Sequence, residues 1–172
     1  TLSYAPVLRG SMEEQMQVSV IATVLNEGES LRPMLDSLIF QTQMPDEVVI
    51  CDGGSSDTTL EILEEYKTWL PLRIIVVPGC NISEGRNRAI AAANGPIIAA
   101  TDAGVILSPG WLEALAAPIM AQEAPVASGW FEADPYTDFE VVMGATVLPD
   151  RNDIDPETFL PCLLYTSPSP RD

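Results

Sequence analysis

Apolar residues arrive along this chain in short unbroken runs, and amphipathic stretches separate them. Residues 18–25 (VSVIATVL) form one run, with the length and β-branched character of a strand buried on both faces. In residues 29–41, Leu31, Leu35, Leu38 and Ile39 fall at helical spacing. The unit repeats, with 47–51 as a strand and 58–70 as a helix. Thr58 and Glu61 have the spacing of a capping box there, and Leu60, Leu63, Tyr66 and Leu70 are placed to face the sheet. Residues 73–77 predict a third strand, then a helix over about 83–94 with Ser83 as its N-cap, then a strand over 96–101. Pro109 suits the first turn of an apolar helix running to Met120, and 126–132 reads as one more strand. After Asp134 the periodicity weakens. Strands alternating with helices in this way predict an α/β fold around a mostly parallel central sheet.

In an open parallel sheet, ligands bind outside the carboxyl ends of the strands. The segments that follow the predicted strands are 26–30, 52–57, 78–86 and 102–108, and they hold most of the chain's unusual polar residues. Asp52 stands at a strand end before Gly53 and Gly54, which allow close backbone approach, and before the polar Ser55, Ser56 and Asp57. A carboxylate there can accept hydrogen bonds from a base or a ribose, and an ordinary strand-to-helix turn with an Asp cap fits as well. Asp102, in Thr101-Asp102-Ala103-Gly104, follows a strand too apolar to need it for packing. It suits a metal or phosphate station, or a cap for the turn before Pro109. Gly85, Arg86 and Asn87 lie at a helix start, where backbone N–H groups and the guanidinium can hold an anion. The alternative for Arg86 is an ion pair with Glu84 or another surface carboxylate.

Composition narrows the chemistry. The 172 residues, 47% hydrophobic, suffice for one domain with a substantial core. A formal net charge of −17 argues against nucleic acid and anionic membrane surfaces as partners, while leaving room for one anionic ligand held by local donors. The chain has no histidine, which excludes His-based triads, HExxH zinc sites and imidazole acid–base chemistry. Cys51, Cys80 and Cys162 are odd in number and lack paired spacing, so a reducing cytoplasm is the expected compartment. No apolar run is long enough to span a membrane, and residues 1–17 lack the features of a signal peptide. Without an initiator Met, the natural start is expected to lie upstream.

Taken together, residues 18–27 with the Asp52 turn, Gly85-Arg86-Asn87 and Thr101-Asp102-Ala103-Gly104 resemble the family 2 glycosyltransferases in order and rough spacing, over about residues 17–132. The resemblance implies a GT-A Rossmann-like three-layer α/β/α fold. It also implies transfer of a sugar from a nucleoside diphosphate sugar to a glycan or lipid-linked acceptor hydroxyl, with inversion. It places Thr23, Asn26 and Glu27 beside the nucleotide and Asp52 with Gly53 at the base or ribose. Gly85 and Arg86 fall near the base or diphosphate, and Asp102 falls in the position of the DxD motif that holds Mn2+ or Mg2+. This chain has Leu25 where many relatives stack an aromatic residue on the base, Gly53 where they carry a second acid, and Gly104 at the end of DxD.

The expected organisation is an extension over 1–17, a nucleotide-sugar-binding domain over 18–134, and the start of an acceptor-side region over 135–161. A non-native or disordered tail over 162–172 follows, where Ser-Pro-Ser-Pro breaks from the preceding composition. Glu140, Asp153 and Asp155 do not sit in the acidic pair before a helix that the family uses as general base, so the base is expected beyond this segment. An anchor that brings a longer protein to a membrane face is compatible with this reading. Two other functions stay open, a nucleotidyltransferase that makes sugar nucleotides and a non-catalytic nucleotide-binding module. No glycine-rich, basic loop near residue 1 of this sequence is present to hold a triphosphate, which argues against the first.

Overall fold

The computed structural model describes residues 17–142 apart from 130, 136 and 140. Within them the apolar runs become four strands, β1 (Val18–Val24), β2 (Glu47–Asp52), β3 (Leu72–Val76) and β4 (Ile97–Ala100). All pair in parallel in the order β3-β2-β1-β4. The intervening segments form α1 (Arg32–Ile39), introduced by a 3-10 turn at Gly28–Leu31, then α2 (Thr59–Tyr66), α3 (Ile82–Ala92) and α4 (Trp111–Met120).

Side chains alternate across a strand, and β1 divides its residues between two cores accordingly. Val18, Val20, Ala22 and Val24 pack with Leu31, Leu35 and Leu38 of the 3-10 turn and α1, Ile62 and Leu63 of α2, and Leu112 and Ala116 of α4. On the opposite face Ile21 packs with Val49, Cys51, Ala89 and Ala100 beneath α3. The sheet is therefore the middle of three layers, as the GT-A expectation requires. Because β1 is central and covered on both sides, an unbroken apolar run was the right signature for it. Gln41, just after α1, ties α1 to the start of α4 within the larger core. Its amide donates to the carbonyls of Ser37 and Ser108 and accepts from the N–H of Leu112.

Three local expectations are corrected. No strand forms over the described part of 126–132, in which 126–129 and 131–132 are irregular; an apolar run has strand character only where a neighbour supplies a ladder. The N-cap of α3 is Asn81 rather than Ser83: Asn81 is extended, and its side chain accepts from Glu84 N–H at 2.9 Å. Thr58 and Glu61 form no capping box, since Thr58 makes no side-chain cap bond. Asp57 takes that role, accepting from the N–H and hydroxyl of Thr59 through one oxygen, because a carboxylate is the stronger acceptor for these donors. Residues 1–16 of the expected 1–17 extension and residues 143–172, with the expected tail, lie outside the described residues, as do Glu140, Asp153 and Asp155.

Candidate active site

The order β3-β2-β1-β4 contains a reversal: the chain steps outward from β1 through β2 to β3, then returns to the other side of β1. At such a switch point the loops leaving the two strands diverge and open a crevice at their carboxyl ends. Residues 25–30 leave β1 on one side of it and residues 101–108 leave β4 on the other.

Hydrogen bonds chain the four polar segments together around this mouth. Asn26 adopts a left-handed conformation, φ 56°, which an Asn tolerates better than most residues. It binds the next loop twice: its N–H donates to Ser55 Oγ and its Oδ1 accepts from Ser56 N–H, both at 2.8 Å. Gly28 N–H donates to Thr59 Oγ1 at 2.9 Å. The 52–57 loop is joined to the 77–80 loop by Val77 N–H on the Asp52 carbonyl and Gly79 N–H on the Gly53 carbonyl, both 2.8 Å. Gly54, at φ +98°, sits so close to Pro78 that a Cβ would lie 2.9 Å from its Cα. Only glycine satisfies both constraints.

Asp52 is 0% exposed. Its Oδ1 accepts from the N–H groups of Gly54 and Ser55 at 2.8 Å, and its Oδ2 accepts from Ser55 Oγ at 2.5 Å. The carboxylate thus builds the turn that carries it. Gly53 is also buried, with the space above its Cα bounded by Leu25 and the carbonyls of Cys80 and Val24. Ser55, which links Asp52 to Asn26, was not singled out from sequence. Its signal was its place inside the polar 52–57 run, but nothing local shows that it joins two loops 29 residues apart.

Thr23 and Gly85 meet on the α3 face. A Cβ on Gly85 would lie 3.0 Å from the Thr23 methyl, 3.3 Å from Cys80 Sγ and 3.5 Å from Cys51 Sγ. The glycine therefore lets α3 settle against β1 and β2. Burial, with the neighbouring Cys80 thiol adding to it, pushes the Cys51 thiol up to about 11. Glu27 stands half-buried at the start of the 3-10 turn, its carbonyl accepting from the Ser30 hydroxyl at 2.6 Å.

Arg86 does not pair with Glu84, which lies 3.9 Å from Arg88 instead. Its Nη2 donates to Asp102 Oδ1 at 2.8 Å, linking α3 to the β4 loop. The two candidates read separately from sequence are thus one ion pair, with side chains 28% and 43% exposed. Among the described residues no three His, Cys, Asp or Glu side chains gather as a metal site. Asp102 offers a single carboxylate at the position where a cation is expected, and Gly104 adds no ligand side chain. No helix among the described residues is long and apolar enough to cross a membrane.

Comparison with known proteins agrees with this architecture. The family described as Glycosyl transferase family 2 matches residues 19–160. Uncharacterized glycosyltransferase YibD of Escherichia coli (strain K12) is 32% identical over 117 residues, 67% of this chain and 34% of that protein. Validoxylamine A glucosyltransferase of Streptomyces hygroscopicus subsp. limoneus is 30% identical over 104 residues, 58% of this chain and 23% of its own length. Among solved structures, S. aureus TarS 1-349 in complex with UDP-GlcNAc superposes with a TM-score of 0.56 at 28% identity, covering 62% of this chain and 32% of TarS 1-349. The mannosyltransferase PcManGT from Pyrobaculum calidifontis, in complex with GDP-Man and Mn2+, gives 0.51 at 26% identity, covering 54% and 29%. The chain spans 34% or less of the length of each of these proteins. With the family match running from the first strand well past the last described helix, the protein belongs to glycosyl transferase family 2 and carries the GT-A form of the α/β fold.

Proposed function

We propose that this chain supplies the donor-nucleotide site of an enzyme that transfers a sugar from a nucleoside diphosphate sugar to an acceptor hydroxyl, with inversion at the anomeric carbon. The observation that carries the reading is the joining of segments 26–30, 52–57, 78–86 and 102 into one hydrogen-bonded rim at the switch point of the sheet. Solved relatives holding UDP-GlcNAc and GDP-Man support a nucleotide sugar as the ligand.

The nucleoside lies over the β1 and β2 ends, beside Thr23, Asn26, Glu27 and Gly53, with exposed Leu25 as an aliphatic contact for the base. Asp52 shapes the turn beneath it, and a direct bond from Asp52 to base or ribose requires a ligand N–H or O–H to take the place of Ser55 Oγ. The diphosphate extends toward β4, within reach of Arg86 in the second turn of α3, where Gly85 brings the helix close to the sheet. Asp102 and the phosphate oxygens together suit Mg2+ or Mn2+, which take oxygen ligands, keep several waters and need only one or two protein carboxylates. When bound, that cation offsets the charge of the departing diphosphate. The base that takes the acceptor's proton belongs to the part of the enzyme outside this nucleotide half.

Calorimetric titration with UDP, GDP and dTDP, each with and without Mn2+, tests the reading. One diphosphate is expected to bind selectively and more tightly with metal, and no binding by a folded chain would favour an inert module. Asp102→Asn should weaken diphosphate binding by about ten- to a hundredfold while sparing the nucleoside, since a charged contact contributes roughly 1.5–3 kcal/mol. Equal losses for both ligands would contradict the placement of Asp102.

A further inference from the structure

We propose that Arg86 is an exchangeable counter-ion, which holds Asp102 before the ligand arrives and transfers to the diphosphate when a divalent cation takes the carboxylate. The inference rests on the nucleotide-sugar reading above and adds a role for the Arg86–Asp102 pair. Asp102 has two prospective partners, a guanidinium and a cation, and in this structure the guanidinium holds it at 2.8 Å. A carboxylate oxygen bound by an arginine N–H is a poor ligand for a second cation, because the two positive charges repel at contact distance.

Two features make exchange feasible. The side chains are 28% and 43% exposed, and ion pairs of that exposure contribute little net stability, so a ligand can replace either partner. Arg86 also lies in the second turn of α3, whose Asn81 cap directly follows the 77–80 loop bonded to the 52–57 turn, so a short swing carries its planar fork from a carboxylate to a phosphate bound at that mouth. In a chain of net charge −17, leaving Asp102 unpaired beside an incoming diphosphate would repel it. Arg86 prevents that repulsion until the cation is in place. Metal and nucleotide are then expected to bind together rather than separately.

The test compares wild type, Arg86→Gln, Asp102→Asn and the double variant, each checked for folding by circular dichroism. Mn2+ alone is titrated by electron paramagnetic resonance of the free ion, and UDP with Mn2+ is titrated by calorimetry, with GDP as a second probe. The expected result is a pair of opposite effects from one substitution. Arg86→Gln should bind Mn2+ alone several-fold tighter than wild type, and the gain should vanish in Arg86→Gln/Asp102→Asn. The same Arg86→Gln should bind UDP with Mn2+ about tenfold more weakly, as loss of a charged contact to phosphate implies. Should Arg86→Gln fail to fold, Arg86→Lys serves in its place; it keeps a cation without the fork, and is expected to retain weak Mn2+ binding and lose nucleotide affinity. Unchanged Mn2+ affinity in Arg86→Gln, a gain that survives in the double variant, or parallel weakening of both ligands would overturn the exchange. If neither UDP nor GDP binds wild type, the nucleotide-sugar reading fails for those bases, while the Mn2+ arm still judges whether Arg86 competes for Asp102.

Discussion

Replacing Gly85 with alanine sets two effects of similar size against each other. Gly85 lies inside α3, and alanine in a helix interior is favoured over glycine by about 1 kcal/mol. The added Cβ would meet the Thr23 methyl at 3.0 Å, Cys80 Sγ at 3.3 Å and Cys51 Sγ at 3.5 Å. Carbon atoms are at optimal separation near ~3.5–4.0 Å, so the first contact is short by about half an ångström or more. Thr23 has little freedom to retreat, because it is paired with Cys51 of β2 and its branched side chain is stiff at χ1. The helix must lift instead, loosening the fully buried Ala89 contact on the same face. Overpacking of this kind costs roughly 1–3 kcal/mol, so the steric term wins and Gly85→Ala should lose about 1 kcal/mol net. Urea unfolding followed by circular dichroism measures the loss. Thr23→Ser removes the offending methyl, and in the Gly85→Ala background it should restore about 1 kcal/mol in a double-mutant cycle. A Gly85→Ala protein as stable as wild type, with no coupling to Thr23→Ser, would refute the packing role.

Asp52→Ala strips three donors of their acceptor and should destabilise the chain by about 3 kcal/mol, with Asp52→Asn losing about half of that, measured as shifts in the urea midpoint. Gln41→Leu keeps the approximate volume but abandons two carbonyls and one N–H between α1 and α4; a loss of about 3 kcal/mol is expected, and a change within ~0.5 kcal/mol would show that these bonds are not formed. Cys51 ionises near 9.0 when unfolded and near 11 in the fold, so its contribution is fully present below pH 9 and is lost as pH rises toward 11. Relative to Cys51→Ala, the unfolding free energy of wild type should therefore fall between about pH 9 and 11 and run parallel below pH 9.

Much of the architecture was legible because its determinants are local. Four aliphatic runs and the helical spacing of Leu31, Leu35 and Leu38 define elements through period alone, and a central parallel strand announces itself by being apolar on both faces. The 126–132 run misled because strand character there depends on a neighbour, and Ser83 misled because a stronger cap, Asn81, lay two residues earlier. The polar segments at the strand ends were legible for the same local reason, and their residue types pointed to nucleotide chemistry.

By itself, the sequence located four strands and their intervening helices, marked β1 as apolar on both faces, and named the side chains available for chemistry. That followed from periodicity, turn chemistry and the absence of histidine. Which of those side chains meet depends on how the elements pack. Asn26 joins Ser55 across 29 residues, Arg86 reaches Asp102 across 16, and Gly85 fits against Thr23 on a different strand. Asp52, which the sequence offered both as a ligand group and as an ordinary turn cap, is fully enclosed by the turn it builds. The physical reason is that strand order and helix docking bring distant segments to one mouth, and no local pattern encodes a contact whose partner lies dozens of residues away.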